Sequence, residues 1–170
     1  MVLRPLLRRA SIIVPALACL AVPLPVALGA QSSHAARSDS AAVASVVHRF
    51  LTAFENLDWE PFRGAFADSA TVFHPAATMP ELVTGRVAID STFRAVFADV
   101  RAQANGGPPF QRLTPIDLRI QPLAPGVVLV TFELRNSERL GRRTVIFRRE
   151  GAAWRIVHLH ASNIALTPSR

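Results

Sequence analysis

From Ser40 the apolar positions Val43, Val46, Val47, Phe50, Leu51 and Phe54 recur at helical spacing. They predict an amphipathic helix to about Asn56, with Asp39 or Ser40 as its cap. Asp58-Trp59-Glu60-Pro61-Phe62 opens a second, short helix, with Asp58 as N-cap and acids in the first turn, where the helix dipole favours them. Its buried face is expected to carry Trp59, Phe62 and Phe66. A turn and a short strand follow from Asp68 to His74, stopped by Pro75. Alternation puts Ala70, Val72 and His74 on one face of that strand and Thr71 and Phe73 on the other. After a loop, 81–85 reads as a short strand and turn, and Arg86 to about Gln103 as a third helix carrying Val87, Ile89, Phe93, Val96, Phe97 and Val100. Asn105-Gly106-Gly107-Pro108-Pro109 is a loop between layers, since too little chain lies on either side for two cores.

Strands are expected near 111–122 and 126–137, with Pro115 marking an edge or bulge early in the first. In the second, Val128, Val130, Phe132 and Leu134 make one apolar face, and Thr131, Glu133 and Arg135 lie opposite. The last stretch, Arg142 to Asn163, holds two β-branched and aromatic runs around Glu150-Gly151-Ala152-Ala153, a hairpin signal. A period of two would place Trp154, Ile156, His158, His160 and Ser162 on one face of its second strand. Arg155, Val157, Leu159 and Ala161 would take the other. Helices first and a meander of antiparallel strands last indicate an α+β fold, with helices on one side of the sheet.

Arg148-Arg149-Glu150-Gly151 followed by Trp154-Arg155-Ile156-Val157-His158-Leu159-His160-Ala161-Ser162 resembles the closing hairpin of the SnoaL-like proteins. It is similar also to that of the association domain of calcium/calmodulin-dependent protein kinase II. Both belong to the nuclear transport factor 2-like superfamily, and Thr84-Gly85-Arg86-Val87-Ala88-Ile89 resembles the superfamily's lead into its third helix. The resemblance covers Ser40 to Ile164. It implies a cone: a strongly curved antiparallel sheet wrapped by three helices of the N-terminal half, with a pocket at the open end and pairing of two copies through the sheet. In the superfamily's ketosteroid isomerase a carboxylate general base directly precedes the proline that His74 precedes here. The departures are equally informative. The isomerase's oxyanion hole needs a Tyr, which this chain lacks, and the acid bases of the SnoaL-type cyclases and the Asp-Arg-Asp set of the epoxide hydrolases have no evident counterpart.

Composition changes the picture at the N-terminus. Arg4, Arg8 and Arg9 precede an uncharged, mostly apolar stretch that ends in Leu28-Gly29-Ala30, the layout of a secretory signal cleaved after Ala30. Pro15, Pro23 and Pro25 disfavour a retained transmembrane helix, so no stable membrane insertion is expected after cleavage. The reading is therefore signal peptide 1–30, disordered leader 31–39, domain 40–165 and tail 166–170, in a secreted or periplasmic protein. A lipoprotein anchored through Cys19 is the weaker alternative, because Ala16 stands where a lipobox prefers Leu. With Cys19 removed no thiol remains, which excludes disulfide staples, thiolate zinc sites and cysteine nucleophiles from the exported form. All 19 basic residues are Arg; sixteen of them and twelve acids would remain after cleavage, a net +4. Without an aromatic-interleaved basic patch, this implies no nucleic-acid partner.

The candidate chemistry rests on histidines. His74, His158 and His160 could meet at the pocket, with Trp59 as a lid, while His48 reads as a surface residue. Three uses are open: filling a polar core or dimer interface, acid–base work or ligand recognition, or metal binding with Glu133 as a further ligand. No metal or other cofactor is required. The leading expectation is an exported domain that binds a small apolar or carbonyl-bearing molecule, with His74, His158, His160 and Trp59 contacting it. The alternatives are a cofactor-independent isomerase, cyclase or dehydratase with His74 as general base, and a dimeric interaction module without ligand.

Overall fold

The computed structural model describes residues 26–76 and 81–166. The expected signal lies largely outside them, as does most of the expected tail. Helix α1 spans Val26–Asn56, α2 Trp59–Gly64, and α3 Arg86–Gln103. Strands β1 (Phe66–Phe73), β2 (Leu82–Thr84), β3 (Ile116–Ala124), β4 (Val127–Arg135), β5 (Arg139–Glu150) and β6 (Ala153–Ala165) form one curved sheet in the order β2-β1-β6-β5-β4-β3, not closed into a barrel. The pairs are antiparallel except β1 with β6, which run parallel. An all-antiparallel sheet was the expectation. The connection through α3 instead carries the chain to the far edge, and the four-strand meander returns β6 beside β1 in the same direction.

The inner face of the sheet packs against the helices. Val43, Val47, Phe50 and Leu51 of α1 and Ile89, Phe93 and Phe97 of α3 meet Val72 of β1, Val128, Val130 and Phe132 of β4, and Val145 and Phe147 of β5. Phe62 of α2 is the hub. Its ring centroid lies 4.8 to 6.3 Å from those of Phe50, Phe54, Trp59, Phe66, Phe93 and Phe97. Phe66 joins that cluster from the first residue of β1 rather than from α2, so the strand begins earlier than the Asp68 turn reading allowed.

Helix α1 also begins earlier than expected, and 31–39 are helical rather than a disordered leader. Ala-rich sequence without a breaker is as permissive of helix as of disorder. Neither Asp39 nor Ser40 caps. Ser40 Oγ donates to Ala36 O at 2.9 Å, and the buried Asp39 carboxylate accepts from Arg149, whose guanidinium covers the Trp154 ring at 4.9 Å. The helix ends in a Schellman turn: Asp58 N–H reaches Ala53 O and Leu57 N–H reaches Phe54 O, with Leu57 at φ +56°. Glycine is usual there, and burial of the Leu57 side chain offsets the left-handed backbone. Asp58 flanks α2 as expected, but its side chain makes no capping hydrogen bond.

Two local devices position the site. Arg86, at the start of α3, donates to the carbonyls of Arg63 and Phe66 at 2.8 and 2.7 Å and pairs with Asp68, fastening α3 to the α2–β1 junction. The other lies in the hairpin. Glu150 faces Ala153 across Gly151-Ala152, with Gly151 at φ +61°, the positive value a type II′ turn requires at its first central position. Beyond Ile156 the register then slips by one: Phe147 pairs with Ile156, but Ile146 pairs with His158. Val157 is the extra residue of a β-bulge, and a bulge reverses which side chains face the core.

Candidate functional site

The reversal at Val157 decides what lines the interior. Trp154 and Ile156 are buried on the inner face, and after the bulge Leu159 and Ala161 are buried there instead. His158 and His160 consequently lie on the outer face. The parallel register confirms it, pairing Val72 with Leu159 on the inside and Thr71 and Phe73 with His158 and His160 on the outside. Thr71 Oγ1 lies 2.8 Å from His158 Nδ1, and the Phe73 ring sits 5.5 Å from that of His160. The expected meeting of His74 with His158 and His160 does not occur. Uninterrupted alternation was the faulty premise.

A cavity of about 390 Å³ lies between α1, α3 and the inner face of β1, β4, β5 and β6. Phe50, Phe54, Phe93, Val72, Phe132 and Leu159 supply apolar wall; polar groups come from His74, Gln111, Arg143 and Asn163, and also from Asp99, Gln103 and Arg139. Clefts of about 630 and 790 Å³ border α1. These are more open to solvent, whereas the smaller cavity has the apolar walls and few polar groups of a ligand site. Trp59 is not among its walls. It packs against Phe62 and Phe97 with Arg94 stacked 4.2 Å from its ring, the structural alternative to a lid.

His74 does face this cavity. It is half-buried, stands edge-on to Phe93, and accepts the Ala76 N–H at Nδ1 at 3.2 Å. Burial lowers its pKa, and the Arg143 charge lowers it further, so the neutral ring is favoured. A ring whose Nδ1 accepts a hydrogen bond carries its proton on Nε2. In that tautomer the remaining ring N–H is a donor.

Arg143 escaped the sequence reading. It precedes Val145 and Phe147 in the same phase, and a charged residue in step with core positions was the available signal. Its Nη1 donates to Arg142 O at 2.8 Å and Ser162 O at 3.1 Å, and both terminal nitrogens approach Asn163 Oδ1 at 3.3 and 3.4 Å. Among the described residues no carboxylate pairs with it. Burial lowers its pKa, yet a guanidinium remains a cation at neutral pH. Asn163 could not be anticipated, because only the bulge turns it inward.

The model of the SnoaL-like domain family matches residues 43–167. The chain belongs to the SnoaL-like family. Solved structures agree on the fold. A nuclear transport factor 2-like protein of unknown function from Pseudomonas putida KT2440 is 17% identical, with a TM-score of 0.63 over 74% of this chain and 87% of that one. A candidate dehydratase of the same broader family from Streptomyces avermitilis is 18% identical, with a TM-score of 0.61 over 75% and 97%. The association domain of CaMKII from C. elegans gives 17%, 0.58, 74% and 96% in the same order. No curated protein matches the chain. In this SnoaL-like domain the metal set considered from sequence is divided, with His74 inside and His158, His160 and Glu133 outside; among the described residues no three His, Cys, Asp or Glu side chains group as metal ligands.

Proposed function

We propose that this SnoaL-like protein is exported and binds a small, largely apolar molecule in the cavity between its helices and sheet. The observation that carries the reading is the cavity itself: about 390 Å³ left open between Phe50, Phe54, Phe93 and Phe132, with donors from His74 and Arg143 at its polar side. An interaction module without ligand would fill that space with its own aromatic rings. The enzymatic alternative, an isomerase, cyclase or dehydratase, has less support, because Nδ1 of His74 is already engaged by the Ala76 N–H. The protein acts in this reading as a homodimer paired through the outer sheet face, where Phe73 is 38% exposed beside Ile146, His158 and His160. Export rests on the basic, then apolar, layout of 1–30.

Native mass spectrometry of the purified full domain tests these points together. A bound organic species lost on denaturation, on a dimer, is the expected spectrum. A protein that carries no ligand and takes up no apolar probe would remove the binding reading. Sedimentation showing only monomer at micromolar concentration would remove the dimer alone, and Met1 intact in the cytoplasmic fraction would remove export.

A further inference from the structure

Building on the ligand reading above, we infer that the molecule is an organic anion: a carboxylate head seated on Arg143, with its apolar body in the inner cavity. Three observations converge on this.

The first is the seat. Gly141, two residues before Arg143 on the same strand face, leaves the guanidinium space to lie along the sheet toward Asn163. A Cβ at 141 would stand 2.9 Å from Nη1 and 3.0 Å from Nη2. The second is which edge of the guanidinium is spoken for. Nη1 is held by two backbone carbonyls, while among the described residues Nε has no partner and Nη2 has only the 3.4 Å approach to Asn163. The Nε–Nη2 edge offers two parallel N–H groups, the geometry that accepts both oxygens of one carboxylate.

The third is the surrounding charge. On the other side of Arg143 lies a vestibule of about 410 Å³ that shares Gln111, Leu134, Arg139 and Asn163 with the inner cavity. Arg112, Arg135, Arg139 and Arg143 line it with no Asp or Glu, and none of the four is in an ion pair among the described residues; Asp99 lines the inner cavity, and Asp117 and Glu133 line a separate cleft that Arg143 also borders. This local excess of four cations concentrates an anion at the mouth. A charge that is partly removed from water and left unpaired is costly, and a ligand carboxylate is the group that would compensate it. Gln111 adds a buried Nε2 with no partner among the described residues. Phe132 and Leu159 continue from this polar end into apolar wall, so head and body have separate places.

The test is calorimetric titration of the full domain with octanoate and with octan-1-ol, equal in chain and different in head. Octanoate should bind at least about ten-fold more tightly, as a charge-assisted pair implies, and the preference should shrink as salt rises. Arg143→Met should bring the octanoate-to-octanol ratio to near one. Gly141→Ala should lower the ratio as well, since it displaces the guanidinium without removing it, and it answers the question if the Met variant does not fold. Equal affinity of the two probes for the unaltered protein would overturn the inference and leave the apolar-ligand reading standing. Binding of neither probe would overturn both. An undiminished preference in Arg143→Met and Gly141→Ala would show that Arg143 is not the receptor.

Discussion

Replacing Ala161 with Phe inserts a benzyl group from β6 into the cavity if the bulge at Val157 has turned that position inward. Ala161 is 7% exposed and lies on the wall of an open space of about 390 Å³, so the ring can enter without displacing a neighbour. Burying a Phe side chain is worth roughly 1.5–3 kcal/mol, and ordering it costs about 0.5–1 kcal/mol. The net expectation is a domain as stable as the parent or more stable by about 1–2 kcal/mol, seen as a higher urea midpoint at unchanged slope. The melting temperature should rise by roughly 2–4 °C per kcal/mol. Octanoate binding should vanish in the same protein. His160→Phe is the matched control for the ligand: it lies on the exposed outer face, so octanoate binding should persist. The reasoning fails if Ala161→Phe destabilises by about 1–3 kcal/mol, the cost of overpacking a filled core, with binding intact. It fails equally if His160→Phe is the substitution that blocks the ligand.

Phe62→Ala should cost about 3–5 kcal/mol in urea denaturation, because six aromatic rings close on a side chain that is 1% exposed. Arg86→Met should cost about 1.5–3 kcal/mol by the same measurement, since it strips the Arg63 and Phe66 carbonyls of a charged donor. His74 makes stability depend on pH. Its folded pKa is depressed by burial and by Arg143, so its contribution is whole above the unfolded value of about 6.5 and is lost as pH falls through the folded value. Chemical denaturation of the parent and of His74→Gln between pH 4 and 8 should show a steeper acid loss in the parent.

The element pattern was legible wherever one periodicity ran unbroken. Arg86 to Gln103 keeps helical spacing and is α3, and the alternation of Val128, Val130, Phe132 and Leu134 gives the buried face of β4. His74 was placed on the inner side with Val72 for the same reason. Legibility stopped where an energetic choice is not written in local pattern. The bulge adds one residue on one strand and moves His158 and His160 outside, yet Ile156-Val157-His158-Leu159 alternates no less regularly than a straight strand. The parallel pairing of β1 with β6 is a contact between distant segments that neither sequence announces. The seat of Arg143 depends on Gly141 and Asn163 together, and Asn163 faces inward only because of the bulge. The start of α1 was missed because a Ser- and Ala-rich stretch suits a helix once Asp39 has Arg149 to hold it.

The sheet order β2-β1-β6-β5-β4-β3 has a consequence for how the molecule comes into being. The strand that joins the two halves is the last of the six in chain order. Until β6 has been made, β1 can pair only with the three residues of β2, and the inner faces of β1 and of the β3–β5 meander have no strand between them. Local pairing can build the meander, and the β5–β6 hairpin after it, but docking on β1 closes a loop of nearly the whole domain, a step that sets folding rates through its entropy. A chain still emerging from the ribosome therefore has neither cavity nor seat for Arg143. Both arise together when β6 is laid between its neighbours, so that the cavity and the completed sheet form as a single event.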